Sequence, residues 1–223
     1  MLRFAALPVA AATLAGAAPA LANDDSQAWE TLNVNVALPS HFKLSNETVV
    51  RSSDAKGLYE VEDNLMLGYQ ADPHVTLWLG YTHDPQYSHS RFAVMEQRFR
   101  QQVSFDNVAK LGSASLSGRM RVEERWREGL SGTGWRMRPA VKLSVPLAGK
   151  TKLVLNHESF INFNTTAFQK QDGYERMRNS IGLNVPLDRR ISLDVGYLNQ
   201  YGFVRHGPNT SDNVLATGLN ASF

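Results

Sequence analysis

Residues 118–128 read GRMRVEERWRE. Taken at every second position, one series is Arg119, Arg121, Glu123, Arg125 and Arg127, and the other is Gly118, Met120, Val122, Glu124 and Trp126. A period of two is the signature of an extended strand, whose successive side chains point to opposite faces. One face of this strand is charge and the other is mostly apolar. Two environments accept that. In a soluble sheet the apolar face packs inward and the charge meets water. In the wall of a membrane barrel the apolar face meets lipid and the charge turns into the lumen. One strand does not separate them, so the rest of the chain must.

The same period recurs along the sequence. Leu32, Val34, Val36 and Leu38 share a face opposite Asn33 and Asn35, and Val75, Leu77, Leu79 and Tyr81 form another apolar series. Trp135, Met137, Val141, Leu143, Val145 and Leu147 oppose Arg136, Arg138, Lys142 and Ser144. Ile191, Leu193, Val195, Tyr197 and Tyr201 oppose Ser192, Asp194 and Gln200, and Leu215, Leu219, Ala221 and Phe223 end the chain on one face. Strands are expected over 27–37, 41–51, 57–70, 74–83, 91–104, 113–127, 134–147, 150–164, 174–187, 190–201 and 212–223. The one at 91–104 is the least regular, because Gln97 and Gln101 fall on its apolar face. Short connections near Pro39-Ser40, Ala71-Asp72, Ala148-Gly149 and Asp188-Arg189, and a slightly longer one through Asp106-Asn107, alternate with longer polar loops at 52–56, 84–90, 128–133, 165–173 and 202–211. Short turns at one end and long loops at the other are the habit of bacterial outer-membrane barrels. The expected fold is therefore all-β: a closed antiparallel transmembrane β-barrel, an up-and-down meander of about 10–12 strands. Single-chain bacterial barrels carry even numbers, so the eleven segments imply a missed or a false strand and a true count of ten or twelve.

The chain has 223 residues, 43% hydrophobic and 20% charged, enough for a single barrel domain over 23–223. It opens with MLRFAALPVAAATLAGAAPALA, one early cation followed by an uncharged apolar run ending in Ala20-Leu21-Ala22. This reads as a cleaved signal peptide over 1–22, which sends the chain through the inner membrane of a Gram-negative cell. Losing Arg3 takes the basic residues from 23 to 22 against 21 acids, a net charge of +1. That balance excludes nucleic acid as a partner. The chain has no cysteine, which excludes disulfides, thiolate metal sites and a lipoprotein anchor. Trp126 and Trp135 flank the loop at 128–133, and Tyr81 and Tyr201 precede two other long loops, as in an aromatic girdle at a membrane interface. Phe223, the last residue of an alternating strand, resembles the C-terminal assembly signal read by the barrel assembly machinery. Expected partners are therefore outer-membrane lipid and that machinery.

The charged face defines the first candidate site. Glu96, Arg98, Arg100, Arg119, Arg121, Glu123, Arg125, Arg136, Arg138, Glu158, Arg176 and Arg178 are expected in the lumen as an ionic network, with Glu47, Arg51, Arg127 and Lys142 on the same face. A barrel of this size leaves little free bore. Bidentate, permanently charged guanidiniums suit a plug of paired charge. Because arginines outnumber acids among these residues, a narrow, porin-like conduit biased toward a small anionic solute is the functional counterpart. The second candidate is NHESF at 156–160, where His157 and Ser159 share the outer face by parity with Leu153 and Leu155. The pair resembles the His-x-Ser of outer-membrane lipid hydrolases such as lipid A 3-O-deacylase and outer-membrane phospholipase A. There His157 would deprotonate Ser159, with Glu175 or Asn179 on the next strand orienting the histidine. The sequence departs from those enzymes in having Phe160, not Asn, after the serine. The six histidines do not converge, so no metal is expected, and no phosphate loop or other cofactor motif occurs.

In order along the chain, WETLNVNV, LSNETVVR, LMLGYQ, MEQRFRQQ, GRMRVEERW, LNHESFINFN, RMRNSIGLNVPL and LDVGYLNQY resemble the DUF2490 family of bacterial exported proteins of unknown function. The resemblance spans nearly all of the chain beyond the signal peptide. It puts weight on Glu96-Gln97-Arg98, on Arg119-Met120-Arg121-Val122-Glu123 and on Glu158-Ser159-Phe160, and so on the charged face and not on His157. The family lends no catalytic residue. The chain reads as a non-enzymatic outer-membrane barrel, structural or a narrow conduit. The alternatives are the lipid-facing hydrolase and a soluble periplasmic β-protein that binds an acidic ligand. Intact mass of the exported protein is expected to place its N-terminus at Asn23. A mass retaining residues 1–22 would contradict cleavage.

Overall fold

Every expected strand forms, with shifted ends. The structure is a computed structural model that describes residues 23–223; the signal-peptide reading lies outside them. The strands are β1 (Asn23–Ala37), β2 (Phe42–Ser53), β3 (Gly57–Asp72), β4 (Val75–Ser88), β5 (Arg91–Leu111), β6 (Ala114–Arg127), β7 (Gly134–Pro146), β8 (Lys152–Asn162), β9 (Gly173–Pro186), β10 (Ile191–Gly202) and β11 (Thr210–Ser222). Each pairs antiparallel with its neighbour in sequence, and β1 closes the barrel against β11.

The closure resolves the strand count. It is neither ten nor twelve but eleven, and the odd number forces the first and last strands to run parallel. Their register holds from Asn23 opposite Thr210 to Asn35 opposite Ser222. The turn end of the seam is tied by Phe223 N–H donating to Asn35 O at 2.9 Å and Ala37 N–H to Phe223 O at 2.8 Å.

Turn chemistry explains where the strands stop. Ser40 and His41, at φ 58° and 67°, are paired left-handed residues in the turn at 38–41, where Phe42 N–H donates to Pro39 O, and His89 and Ser90, at 49° and 61°, are such a pair at the tip of a two-residue hairpin. That is the backbone a type I′ turn requires. At the β9–β10 turn the Asp188 carboxylate accepts from the N–H groups of Arg190 (2.6 Å) and Ile191 (2.7 Å), and these two donors hold it below its usual range. Two connections differ from expectation. The segment 84–90 is mostly strand, because Asp84 turns inward onto Arg98 and Tyr87 packs edge-on against Phe92. The expected turn at Asp106-Asn107 is an irregularity within β5: Asn107 takes φ 51° while the strand continues to a turn at Gly112.

The faces are inverted relative to a soluble sheet. Leu65, Leu67, Leu77, Leu79, Tyr81, Val141, Ile181, Leu183, Val195 and Leu215 are exposed, Leu79 by 57% and Leu215 by 59%, while Arg100, Glu96 and Glu123 are 0% exposed. The outward series on β7 runs Trp135, Met137, Pro139, Val141, Leu143, Val145. Ten steps of about 3.3 Å tilted by about 40° make this belt roughly 25 Å tall, the height of the apolar band of outer-membrane barrels. Gln97 and Gln101 do lie on this outer face, and Gln101 reaches Glu124 at 3.3 Å. Aromatics ring both ends. Tyr81, Trp126, Trp135, Tyr174 and Tyr201 lie towards the loops, with Phe203 against both Tyr174 (5.1 Å) and Tyr201 (5.0 Å). Phe42 packs on Tyr69 at 5.2 Å near the turns, and Phe223 is 59% exposed there under Arg190.

The parallel seam is testable by cross-linking, since the chain has no native cysteine. Two outward pairs, Ala28→Cys with Leu215→Cys and Val34→Cys with Ala221→Cys, are each in register. Both are expected to oxidise to disulfides, because paired strands bring the Cα atoms within bridging range. An antiparallel seam would allow only one of them.

Candidate functional site

The interior is filled by charge, and its layout follows from which residues alternate inward. Four carboxylates act as hubs. Glu62 on β3 takes Arg51 at 2.9 Å, Arg98 at 3.2 Å and Arg100 at 2.5 Å. Glu96 on β5 takes Arg98 at 2.7 Å, Arg125 at 2.9 Å and Arg127 at 2.6 Å. Glu123 on β6 takes Arg136 at 2.6 Å and Arg138 at 2.8 Å, with Arg121 at 4.0 Å. Arg100 Nε lies 3.1 Å from Glu123, at an angle that makes no hydrogen bond. Glu158 on β8 takes both Nε and Nη2 of Arg138, accepts from Arg119, and has Arg178 at 3.9 Å.

Small residues on the intervening strands let these pairs skip a neighbour. Arg119 crosses above Ala140, its partner in register, to reach Glu158 two strands away. Thr82, in register between Asn64 and Arg98, is likewise a small residue on the strand that lies between Glu62 and the arginines of β5. Phe160, 1% exposed, gives the guanidiniums an aromatic platform: Arg138 lies 4.4 Å and Arg178 4.7 Å from its ring centre, with Arg136 and Arg176 at 5.1 and 5.6 Å. Such stacking suits the flat, weakly hydrated guanidinium.

On the seam side the filling changes to hydrocarbon. Trp29, Val49 and Val214 form a buried cluster with Leu198 packed against it. Arg51 and Arg178 stack on the Trp29 ring at 4.4 and 4.5 Å, joining the ionic part to the apolar part. Two cavities lie on either side of this septum. One of about 570 Å³ opens towards the turns, with Thr31, Glu47, Lys142, Asn156, Asn184 and Asp194 in its wall. The other, about 780 Å³, opens towards the loops, walled by Arg51, Tyr59, Arg125, Arg127, Phe168, Arg176 and Arg178. They share no lining residue.

The structure places Glu96, Arg98, Arg100, Arg121, Glu123, Arg125, Arg136, Arg138, Glu158 and Arg178 in the buried interior, with Arg119 and Arg176 at its margins. It adds acids that the sequence reading missed: Glu60, which takes Arg51 at 2.5 Å, Glu62, and Asp84, which takes Arg98. They reduce the arginine excess inferred from the sequence. The interrupted polarity of Val61-Glu62-Asp63-Asn64 hides the face of β3, where Asp63 points outward to Thr48 at 2.8 Å. Gln169 also enters from the loop at 163–172 and accepts from Arg125 at 3.0 Å.

His157, Ser159 and Asn179 meet on the outer face of β8 and β9. Ser159 Oγ lies 3.0 Å from His157 Nε2, and Asn179 Oδ1 lies 2.7 Å from His157 Nδ1. Tyr174 Oη is 2.8 Å from the same Oγ. Glu175, placed beside them by parity, instead faces the interior, with Arg176 at 2.8 Å and Arg136 at 3.8 Å. A bulge opposite Phe160 and Ile161 inserts one residue there and flips the face. Beyond the barrel, Asp172 and Arg205 pair at 2.5 Å in the exposed loops, and that hydrogen bond holds the Asp172 carboxyl below its usual range. Among the described residues, no group of three or more His, Asp and Glu has the arrangement of a metal site.

Removing a hub tests the lattice. Glu123→Ala leaves Arg136 and Arg138 buried without their nearest carboxylate, and breaking a buried pair costs roughly 3–5 kcal/mol. Urea titration of the folded barrel is expected to show that loss, and Arg205→Ala at the exposed pair is expected to leave the midpoint where it was. Equal midpoints for Glu123→Ala and the parent chain would remove the lattice from the account of stability.

The three charged sequence elements Glu96–Arg98, Arg119–Glu123 and Glu158–Phe160 thus feed one lattice. A family model described as a protein of unknown function, DUF2490, matches residues 26–211. An uncharacterised protein of Methylorubrum extorquens is 25% identical over 156 residues, covering 69% of this chain and 68% of that protein. A barrel from the first strand to the last, matched by one family model over nearly all of that length, makes this chain a member of the DUF2490 family.

Proposed function

We propose that this chain is an outer-membrane β-barrel whose interior is a structural plug, closed in its resting state. The supporting observation is the inverted section: a continuous apolar belt outside and a paired-charge septum within. Exposed apolar surface of this extent is unstable in water, since soluble monomers rarely expose more than a few hundred Å² in one patch. A hydrocarbon slab removes that cost, and closure satisfies every strand edge within it. Asymmetric ends fit the same reading. Three of the five connections at the loop end, 128–133, 163–172 and 203–209, are longer than any at the turn end, where they are 38–41, 73–74, 112–113, 147–151 and 187–190; on this reading the turns face the periplasm and the loops the exterior. The cavity at the loop end carries the surplus of guanidinium groups, so whatever conductance or binding the barrel has is biased to small anionic solutes.

The reading is tested by fractionation with an unheated and a boiled gel of the membrane fraction. The protein is expected in the outer membrane, migrating as a compact species until boiled. Release in osmotic-shock fluid without detergent would instead support a soluble periplasmic protein. In planar bilayers the parent chain is expected to pass little steady current, and Glu123→Gln, which removes a hub charge, to leak with anion preference. A large, cation-preferring current from the parent chain would refute the plug.

A further inference from the structure

We propose that His157, Ser159 and Asn179 form a serine-hydrolase site on the outer wall, acting on fatty-acyl esters of lipids in the surrounding leaflet. This rests on the membrane reading above for its substrate, but not for its chemistry.

The outward series on β8 is Leu153, Leu155, His157, Ser159, Ile161. Polar side chains thus interrupt an apolar stripe with apolar residues on both sides, and Asn179 stands beside them across the register between Met177 and Ile181. Polar and ionisable groups at such positions are costly in a membrane and mark functional sites. Their mutual geometry is directional. Asn179 Oδ1, 2.7 Å from His157 Nδ1, accepts a hydrogen bond from Nδ1–H in the tautomer that leaves Nε2 bare, and Nε2 faces Ser159 Oγ at 3.0 Å. That is a nucleophile, a base and an orienting group in the order acyl transfer requires. Tyr174 adds a hydroxyl 2.8 Å from Oγ, a donor within reach of a carbonyl oxygen under attack. The bulge opposite Phe160 and Ile161 brings Tyr174 into this contact while it turns Glu175 inward.

The reaction closes on water alone. Ser159 Oγ bonds to the acyl carbon as its proton passes to His157 Nε2. The tetrahedral centre expels the lipid alkoxide, which takes that proton from the imidazole. Water, deprotonated by the same Nε2, then cleaves the acyl-serine to release the fatty acid and restore Ser159. Leu155, Val141, Met177 and Ile181 surround the site with the apolar surface an acyl chain needs. His157 and Ser159 are the catalytic residues and Asn179 is a positioning residue.

The test uses the full chain folded in detergent micelles, so it does not depend on where the protein resides in the cell. A long-chain alkyl fluorophosphonate is expected to label Ser159, read by peptide mass, and Ser159→Ala or His157→Ala to abolish the label with the barrel still heat-modifiable. Two arms identify the lipid: fatty-acid release from mixed micelles of phosphatidylethanolamine, and from micelles of lipid A. Turnover is expected in one arm and to fall by ~10³-fold or more in Ser159→Ala. Asn179→Ala is expected to lower kcat with KM unchanged, and Asn179→Asp, which keeps the acceptor, to restore it. Absence of the label from the folded parent chain, or fatty-acid release equal to that of Ser159→Ala in both arms, overturns the proposal and leaves the membrane location untouched.

Discussion

An arginine cannot shed its charge to enter a protein interior, and everything else in this barrel follows from how that constraint is met. Guanidiniums bring five donors in a fixed plane and no acceptor. Burying them demands carboxylates within hydrogen-bond reach, or the desolvation cost of several kcal/mol per ion goes unmatched. Glu62, Glu96, Glu123 and Glu158 meet the demand by each serving three or more arginines, drawn from their own strand, the next one or the next but one. The lattice therefore ties each strand to the next but one as well as to its neighbour. It also dictates the small residues. Ala140 and Thr82 sit where a longer side chain would block a pair that spans two strands.

The second half of the septum solves a different problem. Beside the seam the interior carries Trp29, Val49, Val214 and Leu198 in place of an ionic hub. The indole belongs to the hydrocarbon cluster and also carries guanidiniums from Arg51 and Arg178 over its ring, so it couples the two kinds of filling. Phe160 does the same within the ionic part. Aromatic rings are what allow this interior to be neither a salt crystal nor an oil drop.

The strands were legible because a wall with unlike faces imprints its period of two on the chain, as Arg119 to Arg127 show. Legibility failed where the period breaks. The residue inserted at Glu175 reverses inside and outside, so parity placed that carboxylate beside His157 when it belongs to Arg176 and Arg136. Glu62 was hidden because Asp63 and Asn64 follow it without an apolar residue between, and Asp84 because Pro85 and the polar residues after it read as loop. Asn179 could be named from sequence as a partner of His157 but not chosen over Glu175, since register is a property of the folded sheet. The odd count is written in the eleven periodic segments, against the evenness that is the rule for such barrels.

The odd count has a geometric corollary. In an even-stranded meander both chain ends emerge on the same rim. Here β1 and β11 run the same way, so the first strand begins at the loop rim, with Asn23 beside Thr210, and the last ends at the turn rim, where Phe223 is hydrogen-bonded to Asn35 and Ala37. The start of the first strand and the end of the last are separated by the height of the wall. A peptide fused ahead of Asn23 would be displayed with the long loops, and one fused after Phe223 would hang from the opposite rim. One polypeptide is thereby addressable from both rims of the barrel.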